Sequence, residues 1–254
     1  MAARKSERTA LVTGASYGVG AATALALARD GFDVAVTATR AENLKAVSAQ
    51  LDALGVRVVP LVLDLRSQTN IERAMADVMS AFGHLDLLVN NAGANLGKRA
   101  VEVTRSQWDE MIATNLTGSF FMTQQVGRYL IEQSRPGSIV SIASTHGLVG
   151  SPERSTYGIT KAALIQMTRM LAVEWAAHGI RVNAVAPGRL ETASPSRAKS
   201  GADPKYMQAM LDRIPLRRFA TAEEVAAAVC YLASPQAAAI TGQVLVLDGG
   251  LTAA

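Results

Sequence analysis

The chain has 254 residues, 49% of them hydrophobic and 18% charged, a size and balance that fit one globular α/β domain and exclude a disordered chain. Its net charge of +4 is spread along the sequence, and no basic run of the kind that grips nucleic acid appears. That balance either favours anionic small molecules or carries no message. The single cysteine, Cys230, excludes an intrachain disulfide and fits a reducing compartment.

Met1–Glu7 is polar and no apolar stretch follows it, so no signal peptide is expected. No apolar run is long enough to span a bilayer, and the cytoplasm is the default location. Thr9–Thr13 reads as a first strand running into glycines. Val19–Arg29 is Ala/Leu-rich and helical, with Gly31 as its C-terminal cap. Val34–Thr37 is the second strand, Glu42–Leu54 a helix stopping at Gly55, and Arg57–Leu63 the third strand. Gln68–Phe82 is a helix stopped by Gly83, and Leu85–Val89 the fourth strand. Two helices follow, Ser106–Ala113 and about Leu116–Gln133, then the fifth strand, Ser138–Ile142. Tyr157–Ala177 is a long helix ended by Gly179, and Ile180–Ala186 the sixth strand. Thr221-Ala222-Glu223-Glu224 has the capping-box pattern and opens a helix to about Leu232. Val244–Leu247 is the last strand.

Strands separated by helices pair in parallel, and their near-continuous Val/Leu/Ile content implies burial on both faces. The predicted fold is α/β: a doubly wound, Rossmann-like parallel sheet of about seven strands, helices on both faces, residues 1–254 as a single domain. Only Arg189 to about Arg218 shows no convincing strand or helix. A stretch that long is expected to be a lid or substrate loop.

Gly14, Gly18 and Gly20 follow a strand and open a helix, the context a dinucleotide fingerprint requires. In Thr13-Gly14-Ala15-Ser16-Tyr17-Gly18-Val19-Gly20, the first glycine permits the turn and the second lets backbone approach a pyrophosphate. The third packs helix on sheet. The spacing also suits a purely structural turn. The second strand ends in Thr37-Ala38-Thr39-Arg40, with no carboxylate to hold a ribose 2′-hydroxyl or repel a 2′-phosphate. This tilts the cofactor to NADP(H), with NAD(H) also possible. Tyr17, standing where a basic residue would strengthen the choice, weakens the tilt. Arg40 reads either as a phosphate partner or as a solvated helix-start residue. Asp64-Leu65 sits at the sheet rim, where the carboxylate can accept from an adenine amine or cap the next helix. The asparagines of Asn90-Asn91-Ala92-Gly93 either tie adjacent strands together or line the crevice, or the segment is a plain turn.

Tyr157 and Lys161 are four apart and share a helix face. A nearby ammonium lowers a phenol pKa, which lets tyrosine act as general acid or base. Ser144, 13 residues before Tyr157 and just past the fifth strand, can polarise a carbonyl. No G-x-S-x-G elbow surrounds it, which argues against a serine nucleophile. No metal ligand set is read.

These segments, with Asn115, Pro187-Gly188, Thr192 and Asp248-Gly249-Gly250, resemble the short-chain dehydrogenase/reductase family over nearly the whole chain. The likeness is to its compact type, including bacterial 3-oxoacyl-acyl-carrier-protein reductases. The resemblance implies that Tyr157 protonates the carbonyl oxygen as a nicotinamide delivers hydride. It implies that Lys161 holds the nicotinamide ribose and lowers the tyrosine pKa, and that Ser144 orients the carbonyl. Asn115 would support a proton-supplying water chain, Thr192 would contact the carboxamide, and Asn91 would lie beside the cofactor. It also implies a homotetramer, a dimer of dimers built on the helices near 116–133 and 157–177 and on the last strand.

Residues 94–96, the Ser144–Tyr157 segment and the loop from Arg189 should form the substrate pocket. Asn95, His146 and Arg154 are its candidate polar contacts, and the loop adds Arg189, Arg197, Lys199, Lys205 and Arg213 against Glu191, Asp203 and Asp212. His146 reads as a structural rim residue before a second general base. Three functions are carried forward: a 3-oxoacyl thioester reductase, a sugar-acid or polyol dehydrogenase, and a non-catalytic nucleotide-binding regulator.

Overall fold

The computed structural model of the chain describes residues 7–191 and 204–253. Its strands are β1 (Arg8–Val12), β2 (Phe32–Ala38), β3 (Val58–Val62), β4 (Leu87–Asn90), β5 (Gly137–Ile142), β6 (Ile180–Pro187), β7 (Leu190–Glu191), β8 (Ala220–Thr221) and β9 (Val244–Leu247). Seven of them form one sheet in the order β3-β2-β1-β4-β5-β6-β9, every pairing parallel. β7 and β8 pair separately.

Side chains of successive strand residues point to opposite faces, and here both faces are covered. Along β1, Ala10 and Val12 pack into one apolar cluster and Leu11 into the other, all fully buried. The first cluster is closed by α1 (Gly18–Arg29), α2 (Lys45–Asp52) and a helix near the C-terminus, through Leu27, Leu51 and Val229. The second is closed by α3 (Gln68–Phe82), α5 (Gly118–Glu132) and α6 (Ser155–Trp175), through Val78, Leu130 and Leu164. Helices on both faces of a parallel sheet are the doubly wound arrangement expected from the sequence, in a single domain. From β1 the chain moves outward to β2 and β3, then returns to place β4 on β1's other side. The carboxyl ends of β1 and β4 therefore flank the point where the strand order reverses, and such points form ligand crevices.

Several elements depart from expectation. The two helices expected at 106–113 and 116–133 are α4 (Arg105–Ile112) and α5, joined without a break by a π-helical turn, Ala113–Thr117. The helix expected from Glu42 is split into a 3-10 turn, Ala41–Leu44, followed by α2. The stretch expected to lack regular structure contains β7 and α7 (Pro204–Asp212), and β8 follows just beyond it. Met207, Met210 and Leu211 are all half-buried, the i, i+3, i+4 stripe of an amphipathic helix, hidden in sequence among charged neighbours. The last helix, α8 (Ala222–Ala233), opens on the expected capping box at Thr221 and Glu224. Among the described residues, no helix is long and apolar enough to cross a membrane.

Candidate active site

The glycine turn between β1 and α1 is a closely packed floor with an open top. A Cβ on Gly20 would lie 2.4 Å from the Gly14 carbonyl oxygen and 2.5 Å from Asn91 Nδ2. One on Gly14, whose φ is +65°, would lie 2.7 Å from Ala92 Cα. Gly18 differs: no atom lies within 4 Å of its Cβ position. The helices α3, α4 and α8 are capped by the side chains of Ser67, Thr104 and Thr221, whereas α1, opened by Tyr17, has no side-chain cap bond, as is also the case for α6. The first N–H groups of α1 are thus left to a ligand, and the N-terminal end of a helix dipole favours an anion. These features fit a pyrophosphate.

A cleft of about 710 Å³ rises from this floor. Gly14, Ser16, Tyr17, Gly18 and Val19 form one wall, and Thr39, Asp64 and Leu65 form the end beyond β2 and β3. Asn91, Ala92, Gly93 and Asn95 line the side of β4. The plain-turn reading of Asn90–Gly93 gives way to a cross-linked one. Asn91 donates through Nδ2 to the carbonyls of Thr13 and Gly14 at 3.0 and 2.8 Å. Asn90 donates to Thr123 Oγ1 at 2.7 Å, tying the sheet to α5.

The candidate reacting groups are not among the residues lining the cleft, and Lys161 approaches it behind Gly93. Lys161 is buried, and its ammonium donates to the Ile142 carbonyl at 2.7 Å. The same nitrogen lies 5.6 Å from the centre of the Tyr157 ring and 3.7 Å from the Cβ position of Gly93, a cleft residue. Burial lowers the lysine pKa to about 8. Ser144 caps the 3-10 turn Thr145–Gly147 by accepting the His146 N–H at 3.2 Å. Its own hydrogen remains to be donated, to His146 Nδ1 at 3.4 Å or to a bound carbonyl. The His146 ring meets the Tyr157 ring edge to face, 5.9 Å between centres. His146 therefore sits between serine and tyrosine. Asn115 is fully buried in the π-turn, where its Nδ2 donates to the Ala94 carbonyl at 2.9 Å and Thr160 Oγ1 at 3.1 Å. Both amide hydrogens are spent on protein, so any water it holds must donate to its backbone carbonyl or to Oδ1, which already accepts the Ala94 N–H at 2.7 Å. The π-turn offers such displaced carbonyls.

The remaining predicted residues are placed as follows. Arg40 is exposed at the start of a 3-10 turn beside the cleft, and Asn43 rather than Arg40 joins Thr39 in lining it. Ser67, not Asp64, caps α3, which removes the capping alternative for Asp64. Pro187 ends β6, and Gly188 packs against Asp248, where a Cβ would meet Asp248 Cβ at 3.0 Å. Asp248 in turn accepts from the Gly250 N–H at 2.9 Å and the Thr252 hydroxyl at 2.6 Å, a structural use of the Asp-Gly-Gly segment. Arg154 donates to Asn95 Oδ1 at 3.2 Å, and Lys98 N–H donates to the Glu153 carbonyl at 2.9 Å, so two pocket loops are clasped together. Thr192, Arg197, Lys199 and Asp203 lie outside the described residues.

Sequence reading missed Thr13, Thr37 and Arg66. Thr13 Oγ1 accepts from the N–H groups of Asn91 and Ala92 at 3.0 and 3.1 Å, and Thr37 Oγ1 accepts from Gly14 at 3.2 Å. Their placement inside strands gave no sign of these loop-shaping bonds. Arg66 lines the cleft and pairs with Asp64 at 2.7 Å, holding that carboxyl below its ordinary pKa.

A Rossmann-type sheet, an open glycine turn at its switch point and a Ser/Tyr/Lys cluster beside it define a dinucleotide-dependent oxidoreductase. A family model described as "Enoyl-(Acyl carrier protein) reductase" matches residues 14–252. The 3-oxoacyl-[acyl-carrier-protein] reductase FabG of Thermotoga maritima is 39% identical over 244 residues, 96% of this chain and 97% of the relative. A crystal structure of a putative short-chain alcohol dehydrogenase from Sinorhizobium meliloti 1021 matches with a TM-score of 0.94 and 40% identity, covering 100% of both chains. A putative 2-deoxy-d-gluconate 3-dehydrogenase from Agrobacterium tumefaciens, with bound NADP, matches with a TM-score of 0.89 and 35% identity over 98% of each chain. The chain belongs to the short-chain dehydrogenase/reductase family, as an NAD(P)-dependent oxidoreductase acting on CH–OH groups.

Proposed function

We propose that the protein reduces a 3-oxoacyl thioester to the 3-hydroxy compound, with NADP(H) preferred over NAD(H). The observation that carries the chemistry is Lys161 Nζ standing 5.6 Å from the Tyr157 ring and 3.7 Å from the Cβ position of the cleft residue Gly93, with Ser144 linked to Tyr157 through His146. A bound dihydronicotinamide supplies the hydride. Ser144 donates its free hydrogen to the substrate carbonyl and polarises it. Tyr157 gives its phenolic proton to the same oxygen, and the Lys161 ammonium stabilises the phenolate left behind. Asn115 fixes the loop at Ala94 on one side and, through Thr160, the start of α6 on the other. Thr192, outside the described residues, is assigned to the carboxamide by family likeness, and residues 189–218 are assigned to the substrate side. The thioester substrate is supported by the likeness to FabG reductases. The NADP preference is supported by the missing carboxylate at Thr39-Arg40 and by the NADP-bound relative.

A second reading, a sugar-acid or polyol dehydrogenase, is favoured by the polar clasp of Arg154 on Asn95 beside His146. A homotetramer is supported by exposed apolar side chains on α5 and α6 (Phe121, Met170 and Val173) and by Leu245 and Val246 on the edge strand β9. A cytoplasmic location accords with the lone cysteine. The test follows nicotinamide absorbance with NADPH and NADH against short 3-oxoacyl thioesters, keto acids and ketoses. Turnover of the thioesters is expected. Turnover confined to the keto acids or ketoses transfers the assignment to the second reading.

A further inference from the structure

Arg66 is the one cation among the residues described as lining the dinucleotide cleft, and it is locked rather than free. Its Nε donates to Asp64 Oδ1 at 2.9 Å and its Nη2 to Asp64 Oδ2 at 2.7 Å. Its backbone N–H adds a third bond to Oδ1 at 3.0 Å, and Glu110 of α4 stands 4.0 Å from Nη1. The carboxylate has about four lone-pair sites. Two bonds fill Oδ1, while Oδ2 takes Nη2 at 2.7 Å and the long arm of the shared Nε hydrogen at 3.2 Å, which a further donor can displace. The planar guanidinium fork also fixes the carboxylate plane, which a monodentate partner would leave free to turn.

We infer that Arg66 is a positioning residue that makes the nucleotide end of the cleft selective for a 6-amino purine over a 6-oxo purine. The inference rests on the proposal that Asp64 faces the adenine ring. An amine at the purine 6-position donates to Oδ2 in place of the long arm of the Nε bond. An oxo group there sets acceptor against acceptor. Arg66 itself, with its fork turned to Asp64, is held away from serving the oxo group. The pairing also keeps Asp64 ionised, so the acceptor does not become a donor by protonation.

The experiment is fluorescence titration of the intact protein with NADPH and with its hypoxanthine counterpart, in which the 6-amine is replaced by oxygen. The wild-type protein should prefer NADPH by about tenfold, the value of one charge-assisted hydrogen bond. Arg66→Gln should cut that ratio to within about threefold, since Asp64 turns freely and the fork no longer opposes the oxo group. A structural role alone would weaken both ligands equally and leave the ratio in place. If Arg66→Gln does not fold, Arg66→Lys, which keeps the charge but loses the fork, makes the same comparison. A wild-type ratio near one overturns the adenine reading of Asp64 and the inference with it. A wild-type preference that persists unchanged in the variant leaves Asp64 in place and overturns the role of Arg66.

Discussion

At the N-terminal edge of the sheet, charge is closed into pairs. Asp33, fully buried, accepts from Arg57 Nε at 2.6 Å and from the Arg57 N–H at 3.0 Å. Asp86 takes Arg135 at 2.7 Å and the Thr9 N–H at 2.8 Å. At the C-terminal edge, by contrast, Lys161 is buried with a carbonyl for a partner, and burial alone is the cause of its lowered pKa. Helix α1 begins uncapped there, and Ser144 holds a hydrogen in reserve. The N-terminal edge pairs its buried carboxylates with arginines, although Arg57 Nη2 and Arg135 Nε find no hydrogen-bond partner among the described residues. At the other edge Lys161 is paired with a carbonyl rather than a carboxylate. On the proposed function, the difference separates polar residues that hold the fold from those that act on a ligand, since perturbed buried charges cluster at functional sites.

The sharpest way to break this contrast is at Tyr157. Tyr157→Phe keeps the ring against His146 and Lys161 and removes only the hydroxyl. We expect kcat to fall by about 10²–10⁴-fold, the usual worth of a positioned acid, with cofactor affinity nearly unchanged. Near-normal turnover would show that the open edge is not the chemical one. At the closed edge, Asp33→Ala should do the reverse. It strands the Arg57 guanidinium, which is 28% exposed and so partly rehydrated, and should lower stability by about 2–3 kcal/mol without changing kcat per folded molecule. Denaturant melts and active-site titration check the two halves.

Lys161 offers a test with both readouts. Its folded pKa of about 8 lies below the ordinary 10.5, so the unfolded chain holds the proton more tightly. Stability of the cofactor-free protein should therefore rise with pH from about 8 to about 10.5, and below that window the full burial penalty applies, about 3 kcal/mol. Lys161→Met removes the penalty but leaves the Ile142 carbonyl without its donor. The net gain at neutral pH should be about 1–2 kcal/mol, together with lost turnover and a flat pH profile of stability in that window. A variant that melts lower than wild type would place Lys161 with the structural pairs.

Much of this contrast could be read in the sequence where local punctuation was strong. Helix α3 runs over the expected residues 68–82, and β9 over the expected 244–247. The approach of Lys161 to the Tyr157 ring was legible because a four-residue spacing sets both on one helix face. What escaped detection depends on long-range packing. Nothing local told that Thr13 and Thr37 would shape the glycine turn. The π-turn at Asn115 interrupts a helical pattern without changing its composition. The Asp33–Arg57 pair joins the starts of two adjacent strands, and only the sheet register aligns them. Helix α7 was hidden because its apolar stripe is narrow and only half-buried.

The smallest effect lies at the far end of the cleft. Arg40 opens a 3-10 turn beside Thr39, exposed and outside the lining, while Asn43 forms part of the wall. If Arg40 reads the 2′-phosphate, it does so by swinging over the rim, and its bond is screened by water and salt. Arg40→Ala should then weaken NADPH by about three- to tenfold and leave NADH within about twofold, with the difference shrinking as ionic strength rises. Equal losses for both cofactors would assign Arg40 to the solvated surface. A selective loss in Asn43→Ala but not in Arg40→Ala would move 2′-phosphate recognition inside the cleft, to a neutral hydrogen bond insensitive to salt. Fluorescence titration of both variants at two salt concentrations separates these outcomes.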